Sequence, residues 1–347
     1  MHIAQVFNGT IPPIGYGGIE RVIYWLIKEF INQGHQVSLI ANVHSGIIEE
    51  FPQIKFYDFT QHQLIPDKTL SDIDLFHFHN EVIHDWLKKY PYVVTEHGNN
   101  KKKKQYERNT VFLSQSHAEN HNAKYYLSNG IPLDQYPLQI NKKKEIAFMA
   151  KLNWRTKNAR TAIDLAFDSD TPIHLSGGHL KNSRKVWGRW CLKYPFMKHL
   201  ITEHGDVDGD EKLNLLKNSM CLFYLVNWHE PFALAPHEAM ACGTPVIASS
   251  NGALKEYIKH GENGFLVNCY SEAIDTIKLL KGMSTDEQAR IAENCRQSAY
   301  SIQESVKQHL TIYEKILSSD FLYSMEEAND IHFSNPPAIK VKKYSFL

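Results

Sequence analysis

The chain has 347 residues, and its 38 lysines and arginines balance 38 aspartates and glutamates, so the formal net charge is zero and the pI is near 7.3. A neutral chain has no global field for nucleic acid, and this length favours two domains. It lacks an apolar run of eighteen residues, a basic leader and a small-residue cleavage site, which predicts a cytoplasmic protein. Its five cysteines are Cys191, Cys221, Cys242, Cys269 and Cys295. They lack metal-ligand spacing, which indicates free thiols and no zinc site.

The first half alternates short apolar runs with helical patterns, which predicts a mostly parallel sheet covered on both faces. From Ile19 onward, apolar residues recur at helical period, and this helix should stop near Gly34. The runs typical of strands are residues 3–7, 37–41, 54–59, 75–78, 92–95 and 111–113.

A glycine-rich loop joins the first predicted strand to the first helix. Gly17 and Gly18 let the backbone approach a phosphate closely, and the helix offers its amide end. The loop does not fit G-x-G-x-x-G, because Gly17 is followed by Gly18, Ile19 and Glu20. A dinucleotide-dependent dehydrogenase is therefore disfavoured.

Two polar elements follow later strands of this half. His77 and His79 alternate on one strand face, but no third ligand accompanies them, so a polar rim or core role is favoured over a metal site. Lys101, Lys102, Lys103 and Lys104 form a basic run shortly after His97. Such a run is typical of a solvated loop, and the alternative is contact with an anionic lipid surface or a phosphate-bearing acceptor.

The second half repeats the alternating pattern after a predicted linker at 133–144, which has two prolines and three consecutive lysines. We therefore expect an N-terminal domain at 1–140, a C-terminal domain at 141–318 and a tail at 319–347 of unknown role. A loop containing Asp206 and Asp208 fits a calcium site poorly, and Asp210 is predicted to cap a helix. The predicted strands are 146–149, 173–175, 222–225, 246–248 and 265–267, before a long helical run at 271–318.

Two carboxylates, Glu230 and Glu238, flank a predicted loop-to-helix corner. Pro236 is tolerated only in the first turn of a helix, so a helix is expected over about 235–242. The free amides at 232–234, with the positive end of the helix dipole, would attract a diphosphate. Because carboxylates accept hydrogen bonds from vicinal hydroxyls, one could hold a transferred sugar and the other a ribose. This pattern suits a sugar nucleotide.

The segment from Glu230 to Glu238 resembles the E-x7-E region of family 4 retaining glycosyltransferases, whose GT-B fold has two Rossmann-like α/β domains with an interdomain cleft. Residues 250–267 are similar to the family's GG-x-x-E-x-x-x-x-G-x-x-G-x-L-V stretch. The glycine loop resembles its GG-x-E/R loop, and the residues around His97 resemble its T-x-H-G signature. The resemblance implies an acceptor domain, then a donor domain, with a helix near 301–318 that crosses back to the first domain.

The resemblance also implies roles for individual residues. Glu230 would contact sugar hydroxyls, Glu238 the nucleotide ribose and His97 the donor sugar. The family's phosphate-binding arginine and lysine correspond here to Lys151 and Lys157. Lysine keeps the charge but loses the bidentate fork of arginine. Arg155 could serve in place of Lys157. Glu20, Gly17 and Gly18 would lie beside the diphosphate and the acceptor. The backbone of Phe232, Ala233 and Leu234 would bind the donor, and Ala233 replaces a glycine that is common in the family.

The expected activity is a retaining, metal-independent transfer of a sugar from a nucleotide diphosphate sugar to an acceptor hydroxyl. A UDP-sugar donor is favoured over a GDP-sugar, and no other cofactor is implied. The acceptor would be a glycan or a lipid-linked molecule in bacterial-type surface polysaccharide or glycolipid synthesis, with peripheral membrane contact through the basic run. Two alternatives remain, a GT-B-fold nucleotide-sugar epimerase and a non-catalytic nucleotide-sugar-binding protein.

Overall fold

The computed structural model describes residues 1–13, 15, 17–42, 46–79, 88–99, 105–180 and 198–343. These residues form two compact units. The N-terminal unit comprises Met1–Pro132 and Tyr300–Pro336, and the C-terminal unit comprises Leu133–Ala299 and the described residues from Pro337 on.

The chain passes between the units at places that differ from the boundaries expected from the sequence. The start of the predicted linker belongs to the C-terminal unit, because Gln139 N and Lys142 Nζ both donate to the carbonyl oxygen of Cys242, at 3.1 and 2.9 Å. The helix Ile302–Ser319 belongs to the N-terminal unit. The tail is divided, with residues 320–336 in the N-terminal unit and residues 337–343 in the C-terminal unit.

The elements follow one another as β1 (His2–Val6), α1 (Gly18–Asn32), β2 (Gln36–Ala41), α2 (Ile47–Glu50), β3 (Lys55–Asp58), α3 (Asp67–Ser71), β4 (Leu75–His79), β5 (Tyr92–Thr95), β6 (Thr110–Val111), α4 (Gln115–Glu119), β7 (Lys143–Met149), α5 (Ala159–Asp168), β8 (Ile173–Ser176), β9 (Ile201–Gly205), α6 (Gly209–Asn218), β10 (Ser219–Tyr224), α7 (Leu234–Ala241), β11 (Val246–Ser249), α8 (Leu254–Tyr257), β12 (Gly264–Val267), α9 (Tyr270–Gly282), α10 (Thr285–Ser298), α11 (Ile302–Ser319) and α12 (Met325–Asn329). Short 3-10 turns lie at Phe59–Leu64, Leu133–Gln135, Arg155–Lys157 and Lys198–Leu200.

Each unit contains a six-stranded parallel sheet among its described residues. The strand order is β3-β2-β1-β4-β5-β6 in the N-terminal unit and β12-β11-β10-β7-β8-β9 in the C-terminal unit. Counted within each unit, both sheets have the Rossmann order 3-2-1-4-5-6. The α/β class predicted from the alternating pattern is confirmed.

The apolar patterns account for most of this architecture. In β1 every residue is buried, as expected for a strand covered on both faces. In α1 the buried face includes Val22, Leu26 and Phe30, which belong to the predicted stripe. Strand β9 was missed, because Thr202, Glu203 and His204 give it no apolar run and it lies at a sheet edge. The long helical run is divided into α9, α10 and α11.

The strand order fixes where functional loops gather in each unit. The order reverses between β1 and β4 in the N-terminal unit and between β7 and β10 in the C-terminal unit. In open parallel sheets, ligands bind outside the carboxyl ends of the strands at such a reversal. The loops that follow β7 and β10 are therefore the first place to look for a ligand site in the C-terminal unit.

Candidate active site

A buried ion pair lies at the strand-order reversal of the C-terminal unit. Lys157, in the loop after β7, donates from Nζ to Glu230 Oε2 at 2.8 Å, and Glu230 lies in the loop after β10. The exposed fractions of the two side chains are only 9% and 6%. Burial of two opposite charges is favourable only when further hydrogen bonds satisfy them. The surrounding side chains provide these bonds.

Two aromatic side chains complete the environment of the pair. Tyr224 Oη accepts a hydrogen bond from Lys157 Nζ at 2.8 Å and donates to Glu230 Oε2 at 3.1 Å. Trp228 Nε1 donates to the same Oε2 at 2.7 Å. The ammonium also lies 5.1 and 5.0 Å from the Tyr224 and Trp228 ring centroids, within range of a cation–π interaction. Within the described ranges, all hydrogen bonds to this carboxylate go to Oε2, which leaves Oε1 as an acceptor.

The backbone around the pair is held closely. Asn227 N donates to Thr156 O at 2.7 Å, which ties the two loops together. Gly252 has φ +61°, and a Cβ added there would lie 2.3 Å from the carbonyl oxygen of Glu230. Only glycine fits this approach without moving Glu230. The stretch after β11 thus packs directly against the backbone of Glu230.

The second predicted carboxylate, Glu238, is buried on α7 and is also anchored through one oxygen. Its Oε1 accepts from Tyr136 Oη at 2.8 Å and from Lys212 Nζ at 2.7 Å. Lys212 lies on α6, whose N-cap is Asp208; the prediction of Asp210 as the cap was wrong, because Asp208 Oδ1 accepts from Gly209 N. In the described part of the chain, Glu238 Oε2 receives no hydrogen bond.

Helix α7, which follows the corner between the two carboxylates, begins at Leu234, one residue before the predicted start. The rings of Phe232 and His237 stack with centroids 4.6 Å apart, and the Tyr257 ring packs on His237 with centroids 4.1 Å apart. Tyr257 Oη also donates a hydrogen bond to the carbonyl oxygen of Phe232 at 3.1 Å. Burial lowers the pKa of His237 to about 3, so this ring is neutral. Ala233 has φ +76°, a backbone conformation that is energetically unfavourable for an L-residue with a side chain. The stack holds this strained backbone at the helix start.

The other predicted cations of the C-terminal unit lie in the loop after β7. Lys151 is half-buried, and its Nζ lies 4.8 Å from the ring centroid of Trp154. Arg155 is exposed on the turn that ends at Lys157. The loop therefore carries three positive charges at the carboxyl end of β7.

The predicted residues of the N-terminal unit lie around the reversal between β1 and β4. Gly17 is the N-cap of α1, Gly18 is its first residue, and Glu20 lies in its first turn. A Cβ added at Gly17 would lie 2.8 Å from Glu20 Oε2, so the carboxylate faces the amide end of the helix. His97 follows β5 and is half-buried. Its Nε2 lies 2.9 Å from Nδ1 of His79, at the end of β4.

Lys157, Glu230 and Glu238 are predicted from the sequence, whereas the side chains that bind them are not. Trp228, two residues before Glu230, could have been found as a donor next to a motif carboxylate. The others, Tyr224, Tyr136 and Lys212, carried no sequence signal.

Two expectations fall partly or wholly outside the described residues. Lys101, Lys102, Lys103 and Lys104 lie outside them, and so does Cys191. None of the helices in the described ranges has the length and apolar character needed to cross a membrane. Residues in these ranges bring together no group of three or more metal-ligating side chains of His, Cys, Asp or Glu.

Comparison with known proteins identifies the domain that holds this site. Residues 134–301, just under half of the chain, match the family described as Glycosyl transferases group 1. The N-acetyl-alpha-D-glucosaminyl L-malate synthase of Bacillus anthracis is 36% identical over 107 residues, which cover 28% of this chain and 27% of that protein. The chain spans less than half the length of the curated relatives it matches.

Solved structures match over nearly the whole chain. AviGT4, a glycosyltransferase involved in avilamycin A biosynthesis, has a TM-score of 0.71 at 19% identity, over 91% of this chain and 98% of that chain. Anabaena Alr3699/HepE in complex with UDP and glucose has a TM-score of 0.68 at 17% identity, over 91% and 100%. At this identity the likeness concerns the fold. The chain therefore has the predicted GT-B fold of two Rossmann-like units, and its residues 134–301 match the group 1 glycosyltransferase family.

Proposed function

We propose that the chain is a retaining glycosyltransferase that transfers a sugar from a nucleotide diphosphate sugar to an acceptor hydroxyl. The observation that carries this proposal is the buried Lys157–Glu230 pair at the strand-order reversal, followed along the chain by the anchored Glu238. A purely structural ion pair in this position would not require a second carboxylate anchored through one oxygen. The group 1 domain over residues 134–301 supports the same assignment.

The donor sugar and ribose would be held by the unoccupied sides of the two carboxylates. Glu230 Oε1 would accept hydrogen bonds from sugar hydroxyls, and Glu238 Oε2 would accept them from the ribose. The hydrogen bonds to the opposite oxygens fix each carboxylate before the donor arrives. The backbone at Phe232, Ala233 and Leu234 would meet the donor beside the start of α7.

The leaving diphosphate would be stabilised by the cations after β7. When the bond between the anomeric carbon and the phosphate oxygen breaks, negative charge grows on the diphosphate and positive charge on the sugar ring. Positive groups fixed in advance favour that charge separation. Lys157 uses two of its three N–H donors on Tyr224 and Glu230, and the third would reach the phosphate. Lys151 and Arg155 would add charge, and the reaction would need no metal.

The N-terminal unit would provide the acceptor side. Gly17 and Gly18 would lie near the acceptor and the donor diphosphate, and His97 would meet the donor sugar. Glu20 faces the amide end of α1, and because a carboxylate repels phosphate, it fits a sugar hydroxyl better than the diphosphate. The C-terminal unit would accordingly bind the donor.

The finer assignments rest on the sequence resemblance. A UDP-sugar is the favoured donor, a GDP-sugar is the second choice, and the acceptor would be a glycan or a lipid-linked molecule. Surface polysaccharide or glycolipid synthesis of bacterial type is the proposed setting. A membrane contact through Lys101, Lys102, Lys103 and Lys104 remains part of this proposal and can be tested with anionic vesicles.

Nucleotide binding provides the test. The unfolding temperature is measured in EDTA with UDP, GDP, ADP or NAD, since a ligand at 100 times its dissociation constant adds about 2.7 kcal/mol of stability. We expect a shift with one nucleoside diphosphate and a loss of that shift in Glu238→Gln. The exposed variant Asp275→Asn serves as the control and should keep the shift. A response to NAD alone, or to none of the four, would contradict the proposal.

A further inference from the structure

A network of buried histidines crosses the N-terminal unit behind His97. His77 and His79 on β4 are buried, which agrees with the predicted rim or core role, and their rings stack with centroids 4.3 Å apart. His77 contacts Thr95 Oγ1 and Tyr313 Oη at 2.7 Å each, the latter on α11. The glycosyltransferase assignment gives this network no role.

His79 joins His97 to the interior of the sheet. Its Nδ1 lies 2.9 Å from His97 Nε2, and its Nε2 lies 2.8 Å from Gln5 Oε1 on β1. The rings of His79 and His97 also stack with centroids 5.1 Å apart. Gln5 is fully buried and His79 is 5% exposed, so the surrounding core holds both side chains in place.

The positions of the protons on His79 and His97 follow from donor and acceptor chemistry. Burial lowers the pKa of His97 to about 3 and that of His79 well below its ordinary value, so both rings are neutral near pH 7. A neutral imidazole has one N–H donor and one acceptor nitrogen. Since Gln5 Oε1 is an acceptor, His79 must donate to it from Nε2. The Nδ1 of His79 is then an acceptor, and His97 must donate to it from Nε2.

We propose that His79, oriented by Gln5, is a positioning residue that holds His97 in the tautomer with its proton on Nε2 and its lone pair on Nδ1. A hydroxyl that meets His97 at Nδ1 must then donate a hydrogen bond to it, and a carbonyl or phosphate oxygen finds no donor there. This consequence for the substrate rests on the proposed glycosyltransferase function. The tautomer itself does not.

The direct test is a long-range ¹H–¹⁵N correlation spectrum of the full chain labelled in histidine nitrogen, recorded near pH 7 without substrate. The His97→Gln variant assigns the signals. We expect His97 to show a protonated Nε2 and an unprotonated Nδ1. The reverse pattern would mean that the Gln5 amide presents its nitrogen to His79, and a protonated His97 ring would mean that burial does not keep it neutral. Either result overturns the proposal.

A pair of variants separates positioning from packing. In His79→Asn the side-chain oxygen can take the place of Nδ1 as acceptor, whereas His79→Leu fills the space without one. We expect His97 to keep its tautomer in His79→Asn and to show a mixture in His79→Leu. If His79→Leu leaves the His97 spectrum unchanged, or if both variants alter it equally, His79 does not set the tautomer.

Activity then tests the consequence. We expect kcat/KM for sugar transfer to fall about tenfold in His79→Leu, the effect of losing one hydrogen bond, and to recover in His79→Asn. Failure of the proposed function would appear as no transfer by the wild-type chain, whatever the tautomer. Failure of this inference would appear in the spectrum even if transfer occurs. Equal loss of transfer in both variants would assign His79 a packing role and overturn the positioning role.

Discussion

The effects of substituting Lys157 and Glu230, which form a buried ion pair, on the free energy of unfolding should be strongly coupled. Both side chains are less than one-tenth exposed. Removing one partner leaves an uncompensated charge in a desolvated site, which typically costs about 3–5 kcal/mol. We therefore expect Lys157→Met and Glu230→Gln each to lower the free energy of unfolding by that amount. Replacing both partners removes the uncompensated charge, so the double variant should recover most of the loss.

Urea denaturation of the four proteins gives the coupling free energy, which we expect to be at least about 3 kcal/mol, because the double variant should cost less than either single variant. The exposed pair Asp275 and Lys278, 3.4 Å apart on α9, is the matched control and should couple by less than about 0.5 kcal/mol. Stability and function should separate in the double variant, which regains stability without transfer activity. Additive losses, or a double variant that still transfers sugar, would refute the reasoning.

Three further predictions concern backbone strain and buried histidine. Ala233→Gly should raise the free energy of unfolding by up to about 1 kcal/mol, since it relieves a positive φ, and a less stable variant would contradict this. Gly252→Ala should destabilise by about 2 kcal/mol or more and weaken nucleotide binding, because its Cβ displaces Glu230; binding at wild-type strength would count against it. His309→Phe should reduce acid sensitivity, because burial lowers the folded pKa of His309 from 6.5 to about 4. Because the unfolded chain binds the proton at higher pH than the folded chain, the free energy of unfolding falls by about 1.4 kcal/mol per pH unit between pH 6.5 and pH 4. If urea titrations give the same dependence of unfolding free energy on pH for the wild-type chain and for His309→Phe, this prediction is wrong.

Much of the fold could be predicted because its strands are buried on both faces. Such strands appear as short apolar runs, and α1 shows its buried stripe at helical period. Strand β9 could not be found this way, because three of its residues are polar and a sheet edge tolerates them. The place where the chain changes unit was also hidden, since Lys142 looks like part of a charged linker but binds the ends of two helices.

The candidate site was predicted only as far as local sequence allows. Glu230 and Glu238 could be found because they flank one corner within nine residues. The groups that orient Glu238 are distant in sequence: Lys212 lies 26 residues away and Tyr136 lies 102 residues away. Such partners are determined by tertiary packing, and a single sequence carries no pattern for them. The role of His79 was hidden for the same reason, because Gln5 lies 74 residues from it.

The central claim, that the chain transfers sugar from a nucleotide diphosphate sugar with retention, is tested most directly by following the anomeric carbon. UDP- and GDP-sugars are incubated with a panel of acceptor alcohols in EDTA, and NMR records the configuration of the product. We predict release of one nucleoside diphosphate and a new bond with the configuration of the donor, abolished in the Lys157→Met, Glu230→Gln double variant. An inverted product, an isomerised donor or tight donor binding without turnover would contradict the account.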